Sequence, residues 1–169
     1  MELAAIELYK STQNNRYLQQ AIEYGRREPV TPWMGAVSTR HYQWYPFMNM
    51  GHYWLAKTEN NTRLNEEFIR NIRIGLQRTY EKARQNPFLY GIPAIWCSNN
   101  LTTAMLTQCR LYREVTGDST YEEMEASLRD WLFGCNPWGS SMIVELPLYG
   151  DYPSEPHSCL LYTSPSPRD

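Results

Sequence analysis

The stretch LYKSTQNN at residues 8–15 leads from one helical pattern into the next, and the chain contains this plan three times. It recurs as LAKTENN at residues 55–61 and as LYREVTGDS at residues 111–119. Each copy places Lys or Arg near the negative end of a helix dipole and then turns through polar residues into another helix. The turn threonines stand at positions 12, 58 and 116, a spacing typical of helical repeats. The sequence therefore predicts an all-α fold of about three helix hairpins, arranged as a solenoid or a closed toroid.

Apolar residues three and four positions apart define six helical segments around these turns. The fourth segment, for example, places Phe68, Ile72 and Leu76 one helical turn apart. The last helix is expected to begin with a capping box at Ser119 and Glu122, which would satisfy two free backbone N–H groups. The predicted helices span residues 2–11, 16–27, 40–57, 63–84 and 99–115, followed by the helix after Ser119.

The connections between hairpins differ from the turns within them. The turns are short and polar, and Gly117 suits the left-handed position that ends a helix. The connections are long and rich in Pro and aromatic residues, and they run through residues 29–47, 86–98 and 133–157. Because such loops often carry binding residues, we expect the binding face on the rim where the long connections meet.

Composition and charge argue against several classes of function. The 169 residues carry 16 basic and 18 acidic side chains, for a net charge of -2, with no basic stripe that would indicate nucleic acid binding. No apolar run approaches the roughly 20 residues of a membrane-spanning helix. The four cysteines lack the spacing of a zinc site or a redox pair, so we expect neither a metal nor a cofactor.

The long connections carry the candidate binding residues, which combine indole rings with polar side chains. An indole face stacks on the apolar face of a sugar ring, while Asn, His and Arg bind its hydroxyls. Core packing is the ordinary explanation of any single Trp, but three connections that each supply one favour a carbohydrate site. The candidates are Trp33, Arg40, His41 and Trp44 in the first connection, Trp96, Asn99 and Asn100 at the second, and Trp138 and His157 in the third.

Four short motifs, taken in chain order, resemble glycoside hydrolase family 9, the family of endoglucanases and related enzymes. The resemblance covers roughly residues 31–157 and implies about half of an (α/α)6 toroid that acts on β-linked polysaccharide such as cellulose. By the same resemblance Trp44 and Trp96 would be stacking platforms, His157 would hydrogen-bond a sugar hydroxyl, and the protein would be secreted or periplasmic. The motifs are Trp44 with Gly51, Trp96-Cys97-Ser98-Asn99, Gly134-x-Asn136-Pro137 with Ser141, and Pro156-His157.

The resemblance also implies an inverting mechanism, in which a carboxylic acid and a carboxylate base stand about 6.5–9.5 Å apart. In the family the base lies upstream of the matching region and the acid lies downstream of it, so no catalytic residue is expected in this chain. The carboxylates of the third connection, Glu145, Asp151 and Glu155, are more simply explained as solvated loop residues. We therefore expect the chain to contribute sugar subsites and to have no hydrolase activity by itself.

Residues 159–169 resemble the translation of a sequencing adapter. The expected division is therefore a fragment of a family 9-like catalytic domain at 1–158 and an artefactual tail at 159–169. A helical-repeat module that binds a protein or a glycan is one alternative function. A sugar epimerase of the six-hairpin type is another, with His41, His52 and His157 as candidates for acid–base chemistry.

Overall fold

The computed structural model describes residues 1–30, 49–58, 60–94, 98–146 and 150–152, and within them it contains six helices and no β-strand. Each hairpin pairs two consecutive helices, and contacts between α1 and α3 and between α4 and α5 join the hairpins. The predicted all-α fold of three helix hairpins is confirmed. The helices are α1 (Glu2–Thr12), α2 (Asn15–Arg27), α3 (Met50–Ala56), α4 (Thr62–Ala83), α5 (Ser98–Thr116) and α6 (Glu122–Leu132).

Helix α4 shows how the local sequence determines an element. Asn61 precedes it, and its side-chain oxygen accepts a hydrogen bond of 3.2 Å from the Leu64 backbone N–H. This bond satisfies one of the N–H groups that the first turn leaves without a helical partner. Leu64, Phe68, Ile72 and Leu76 are all buried, as their spacing of four predicts. The helix therefore packs against α3 of its own hairpin and against α5 of the next.

The core consists of two clusters of buried side chains that share α4. The N-terminal cluster joins α1, α2 and α3 to the start of α4, and the C-terminal cluster joins the rest of α4 to α5 and α6. Ile69 of α4 packs against both clusters. The N-terminal cluster includes Ile6, Ile22, Leu55, Leu64 and Phe68, and the C-terminal cluster includes Ile72, Leu76, Ile92, Met105, Met124 and Leu128.

The turn between α5 and α6 confirms one sequence prediction and corrects another. Gly117 has φ 73, the left-handed conformation predicted for it. The predicted capping box is wrong, because α6 begins at Glu122 after Tyr121, whose side chain makes no capping hydrogen bond, and Ser119 does not cap the helix.

Asp118 organises this turn in place of Ser119. Its Oδ1 accepts hydrogen bonds from the Thr120 hydroxyl at 2.5 Å and from the Thr120 backbone N–H at 2.9 Å. These two bonds, with the hydroxyl as the larger cause, hold the pKa of Asp118 below its ordinary value. The Asp118 carboxylate thus fixes the turn through Thr120, while the Glu122 backbone N–H donates to the Ser119 carbonyl oxygen at 2.9 Å instead of to the Ser119 side chain.

Within the described part of the predicted helix over 40–57, the helix begins only at Met50. Asn49 has φ 57, a left-handed conformation, and α3 begins only after it at Met50. Residues 40–48 lie outside the described residues. The helices predicted at 2–11, 16–27, 63–84 and 99–115 agree with the observed bounds to within one residue at each end. None of the helices in the described ranges combines the length and apolar composition that a membrane crossing needs.

Candidate functional site

An aromatic cluster, formed by Phe88, Tyr90, Trp131 and Trp138, lies between the second and third long connections. Tyr90 stacks on Trp131, with ring centroids 3.7 Å apart and an angle of 12° between the planes. Phe88 and Trp138 approach Trp131 edge-on, with centroids at 5.7 Å and 5.8 Å. Trp131 is 7% exposed and Trp138 is 52% exposed. The cluster therefore has a buried base and one indole open to solvent.

Asn136 holds the turn that presents Trp138. Its Oδ1 accepts a hydrogen bond of 3.1 Å from the Trp138 backbone N–H. Its Nδ2 donates to the carbonyl oxygens of Trp131 at 2.9 Å and Ser140 at 2.8 Å. Since Asn136 is only 6% exposed, these bonds are protected from water and fix the backbone on both sides of Trp138.

Ser140 and Ser141 bond this part of the connection to Asp151. The Ser140 hydroxyl donates to Asp151 Oδ2 at 2.9 Å, and the Ser141 N–H donates to the Asp151 carbonyl at 2.7 Å. The Ser141 hydroxyl is buried and lies 3.1 Å from the Ile143 carbonyl, to which it donates. Asp151, which is exposed, therefore joins this loop to residues 140 and 141 through both its carboxylate and its backbone carbonyl.

The start of α5 is tied to the aromatic cluster through Tyr90. The Tyr90 hydroxyl lies 2.9 Å from Thr102 Oγ1, which donates to the Ser98 carbonyl at 2.9 Å. Burial raises the pKa of Tyr90, while its hydrogen bonds to Thr102 and Ser98 act in the opposite direction. Tyr90 is thus a neutral phenol that fixes Trp131 to the first turn of α5, where Asn99 and Asn100 lie.

The described residues of this region supply binding chemistry. Trp138 offers an exposed apolar ring, Asn100 is exposed, and Asn99 is partly exposed in the first turn of α5. An indole face with amide groups on the neighbouring element suits a ligand with apolar faces and hydroxyl edges. Among the described residues, no group of three or more His, Cys, Asp or Glu is placed to hold a metal ion.

Six of the nine predicted binding residues lie outside the described residues. The structure describes Asn99, Asn100 and Trp138, and it links the elements that carry them through Trp131 and Tyr90. Placement of the others stays a prediction. These are Trp33, Arg40, His41, Trp44, Trp96 and His157.

His52, a candidate for acid–base chemistry in the epimerase alternative, belongs to the core. It is 2% exposed in the first turn of α3, and both ring nitrogens have hydrogen-bond partners. In the described conformation His52 has no free nitrogen to offer to a substrate.

Sequence patterns did not identify Tyr90 or Phe88 as parts of the site. Both stand in an irregular connection, and their contact with Trp131 depends on how α6 packs beside that connection. Asn86 gave a weak local signal, because its Oδ1 accepts from the backbone N–H groups of Phe88 and Tyr90. Such Asx turns are common in loops, so the signal alone would not have indicated a site.

Comparison with known proteins gives one match. The model of glycosyl hydrolase family 9 matches residues 1–168, nearly the whole chain. No curated protein and no solved structure matches the chain.

Proposed function

Because this chain belongs to glycosyl hydrolase family 9, we propose that it contributes sugar subsites to an inverting glycosidase that cleaves β-linked polysaccharide, cellulose or a related glucan. Family membership gives the coarser part of this statement: a glycoside hydrolase with a carbohydrate substrate, built as an (α/α)6 barrel. The three described hairpins are part of such a barrel. The proposal adds three finer points: which polymer is cleaved, that cleavage proceeds with inversion, and which residues bind the sugar.

The exposed indole of Trp138 is the observation that carries the proposed binding role. Asn136 fixes its backbone and Trp131 supports its ring from the edge, so the indole face is held in place before a ligand arrives. A ring that is ordered beforehand loses little conformational entropy on binding. Asn99 and Asn100, on the neighbouring start of α5, would then hydrogen-bond sugar hydroxyls, together with His157, Arg40 and His41.

We also propose that the general acid and the base are not among the residues of this chain. The Asp151 carboxylate accepts a hydrogen bond from the Ser140 hydroxyl at 2.9 Å, and Glu145 is exposed on a left-handed turn with φ 63. Inversion needs two carboxyl groups on opposite faces of the sugar, about 6.5–9.5 Å apart. The proposed contribution of the chain is substrate binding, with Trp44 and Trp96 as further platforms.

Tryptophan fluorescence titrated with cello- and xylo-oligosaccharides tests the binding proposal. Trp138→Ala should weaken binding of the better ligand about fivefold, a loss on the order of 1 kcal/mol for one stacked ring. Trp54→Phe, at the opposite rim, is the matched control and should leave the affinity unchanged. Equal affinity of wild type and Trp138→Ala would contradict the assignment of Trp138, and β-glucan hydrolysis by the same purified samples would contradict the absence of the acid and base.

No specific observation favours the alternatives. A helical-repeat module for a protein partner would not need the preordered indole at Trp138, and the six-hairpin epimerase loses His52 as a candidate because that residue is buried and paired. Saturable binding of oligosaccharide in the titration, with loss on Trp138→Ala, would distinguish a glycan site from a protein-binding surface.

A further inference from the structure

A cavity of about 300 Å³ lies on the rim of the short turns, away from the aromatic cluster. It is formed where α1 and α3 end and the chain turns toward α2 and α4. The buried side chain of Ile6, which is 1% exposed, belongs to its lining, so the cavity reaches down to the N-terminal core cluster. Tyr9 and Trp54 add aromatic walls, and Lys10, Gln13 and Lys57 add polar groups.

Two lysines converge on the indole of this cavity. Lys10 Nζ lies 3.4 Å from the centroid of the Trp54 ring, and Lys57 Nζ lies 5.7 Å from it. Both distances are within the range in which an indole attracts an ammonium group. Only three of the 16 basic side chains of the protein are lysines, and two of these three line this cavity. Two positive charges are therefore held beside one aromatic wall.

The ends of the two helices do not occupy these ammonium groups. A lysine in the last turn of a helix often hydrogen-bonds the final carbonyl oxygens. Here the Gln13 side-chain amide donates to the Lys10 carbonyl at 3.1 Å, and the Thr58 hydroxyl donates to the Trp54 carbonyl at 3.3 Å. Because other side chains satisfy these carbonyls, the ammonium groups can interact with the cavity.

Each ammonium group also keeps hydrogen-bonding capacity for a ligand. An ammonium group has three N–H donors. In the described part of the chain, Lys10 uses one of them for Glu7 at 3.0 Å, and Lys57 uses two, for Tyr53 at 2.8 Å and Glu114 at 3.3 Å. The side chains of Glu7 and Glu114 are 47% and 49% exposed, and exposed ion pairs of this kind are weak in water. A carboxylate from a ligand could therefore join or replace them.

We propose that this cavity binds a uronate, a sugar residue that bears a carboxylate. The carboxylate accepts hydrogen bonds from Lys10 and Lys57, and the sugar ring lies against the apolar walls. The positive charges favour an acidic sugar over a neutral one, and the aromatic walls favour a ring over a small anion. A volume of 300 Å³ is at the lower end of the range of small-molecule sites, about 300–1,000 Å³, which suits a single sugar ring.

The choice of a sugar as the ligand depends on membership of a carbohydrate-acting family. The site itself goes beyond the proposed glycan site, shares no residue with it and lies on the opposite rim. Cello- and xylo-oligosaccharides carry no carboxylate, so this cavity should not contribute to their titration. Trp54→Phe thus remains a valid control for the Trp138 measurement.

Three small ligands test the proposal on the unmodified protein, at constant ionic strength. They are methyl β-glucuronide, methyl β-glucoside, which has the same ring without the carboxylate, and acetate, which has the carboxylate without the ring. We expect the glucuronide to shift the NMR signal of the Trp54 indole N–H saturably, with a Kd in the millimolar range. The glucoside and acetate should bind at least about fivefold more weakly, since each lacks one of the two kinds of contact. Absence of glucuronide binding, or equal binding of either other ligand, would overturn the proposal.

Substitution of Lys10 tests the role of the charge. Lys10→Met keeps a long side chain and removes the ammonium group, so it should weaken glucuronide binding about fivefold, whereas Lys10→Arg should keep most of the affinity. Lys82→Met changes the third lysine, which is exposed on α4, and is the matched control that should bind like wild type. If Lys10→Met also binds like wild type, the carboxylate is not held where we propose.

The two sites can fail separately. Trp138→Ala should leave glucuronide binding unchanged, just as Trp54→Phe should leave oligosaccharide binding unchanged. Loss of glucuronide binding in Trp138→Ala would place the uronate in the proposed glycan site and would overturn this inference.

Discussion

At the residue scale, Asn136 holds the backbone of the turn that carries Trp138. It is the only described side chain that bonds the backbone at residues 131, 138 and 140. Asn136→Ala would leave two carbonyls and one N–H without this partner in a protected position, and each such loss costs about 1–3 kcal/mol. Because the loop can relax partly, we expect a total destabilisation of about 2–3 kcal/mol in urea unfolding.

Asn100→Ala is the comparison for that variant, because Asn100 is exposed in α5, and it should change stability by no more than about 0.5 kcal/mol. The two variants also separate folding from binding. Asn136→Ala should weaken oligosaccharide binding as well, since it releases the backbone of Trp138. If Asn136→Ala is as stable as Asn100→Ala, the Asn136 hydrogen bonds do not determine the conformation of this turn.

The sequence suggested candidate binding residues but not the residues that support them. Trp138 could be selected because it stands in an Asn-Pro-x-Gly turn, where side chains face outward. Tyr90 could not, because its neighbours in sequence carry no sign that a Trp from α6 lies 3.7 Å away. The contact between His52 and Glu2 could not be predicted for the same reason: the first hairpin and the first long connection separate the two residues in sequence, and only the packing of α1 on α3 brings them together.

At the element scale, the second long connection is pressed onto α4 at Gly91. A Cβ atom there would lie 2.2 Å from the Thr79 carbonyl oxygen and 3.0 Å from the Ala83 nitrogen, both of which belong to the helix backbone. Gly91→Ala must therefore displace the connection, and we expect a loss of about 2–3 kcal/mol in the free energy of unfolding.

Gly117→Ala separates this steric effect from a conformational one. Gly117 has φ 73 with nothing within 4 Å of an added Cβ, so Ala there is penalised only for its left-handed backbone, by about 1–2 kcal/mol. The Gly91 variant should be the less stable of the two, and it should also disturb Tyr90, its neighbour in the aromatic cluster. The opposite order of stability would show that the connection does not pack on α4 as described.

The bounds of a helix could be predicted where an apolar stripe is flanked by polar turns. They were predicted less well where only one of these two signals was present. The four helices with both signals were placed to within one residue at each end. The start of α6 was misassigned because Ser119 and Glu122 fit a capping box, whereas the helix begins at Glu122, whose backbone N–H donates to the Ser119 carbonyl oxygen. The helix predicted over 40–57 does not run through Asn49, because Asn49 is left-handed; the sequence does not show this, although Asn tolerates that conformation better than most residues.

At the scale of the whole molecule, family 9 membership and three hairpins together make the chain part of an (α/α)6 barrel. The repeat of short turns and long connections predicted helix hairpins in a solenoid or a closed toroid, and the resemblance to family 9 implied the (α/α)6 arrangement. It could not predict that the core divides into two clusters. That division depends on which side chains of α4 face each neighbour, with Leu64 and Phe68 on one side of the boundary and Ile72 and Leu76 on the other.

The shared helix predicts how the described chain unfolds. Neither cluster can lose its packing without exposing buried residues of α4, and Ile69 contacts both clusters. Links between α3 and α5 add to this coupling, because Asn49 Nδ2 donates to Gln108 Oε1 at 2.5 Å and Tyr53 donates to Glu114. We therefore expect one cooperative transition for both clusters.

Matched substitutions in the two clusters test this coupling. Ile22→Val in the N-terminal cluster and Ile92→Val in the C-terminal cluster each remove one buried methylene and should each cost about 0.5–1.5 kcal/mol. Hydrogen exchange of the Ala21 and Met105 amides, one from each cluster, would follow the two halves separately. In a cooperative molecule either substitution lowers the protection of both amides by the same amount. If Ile92→Val affects Met105 and leaves Ala21 unchanged, the two clusters unfold independently, and α4 breaks near Ile69 instead of acting as a single element.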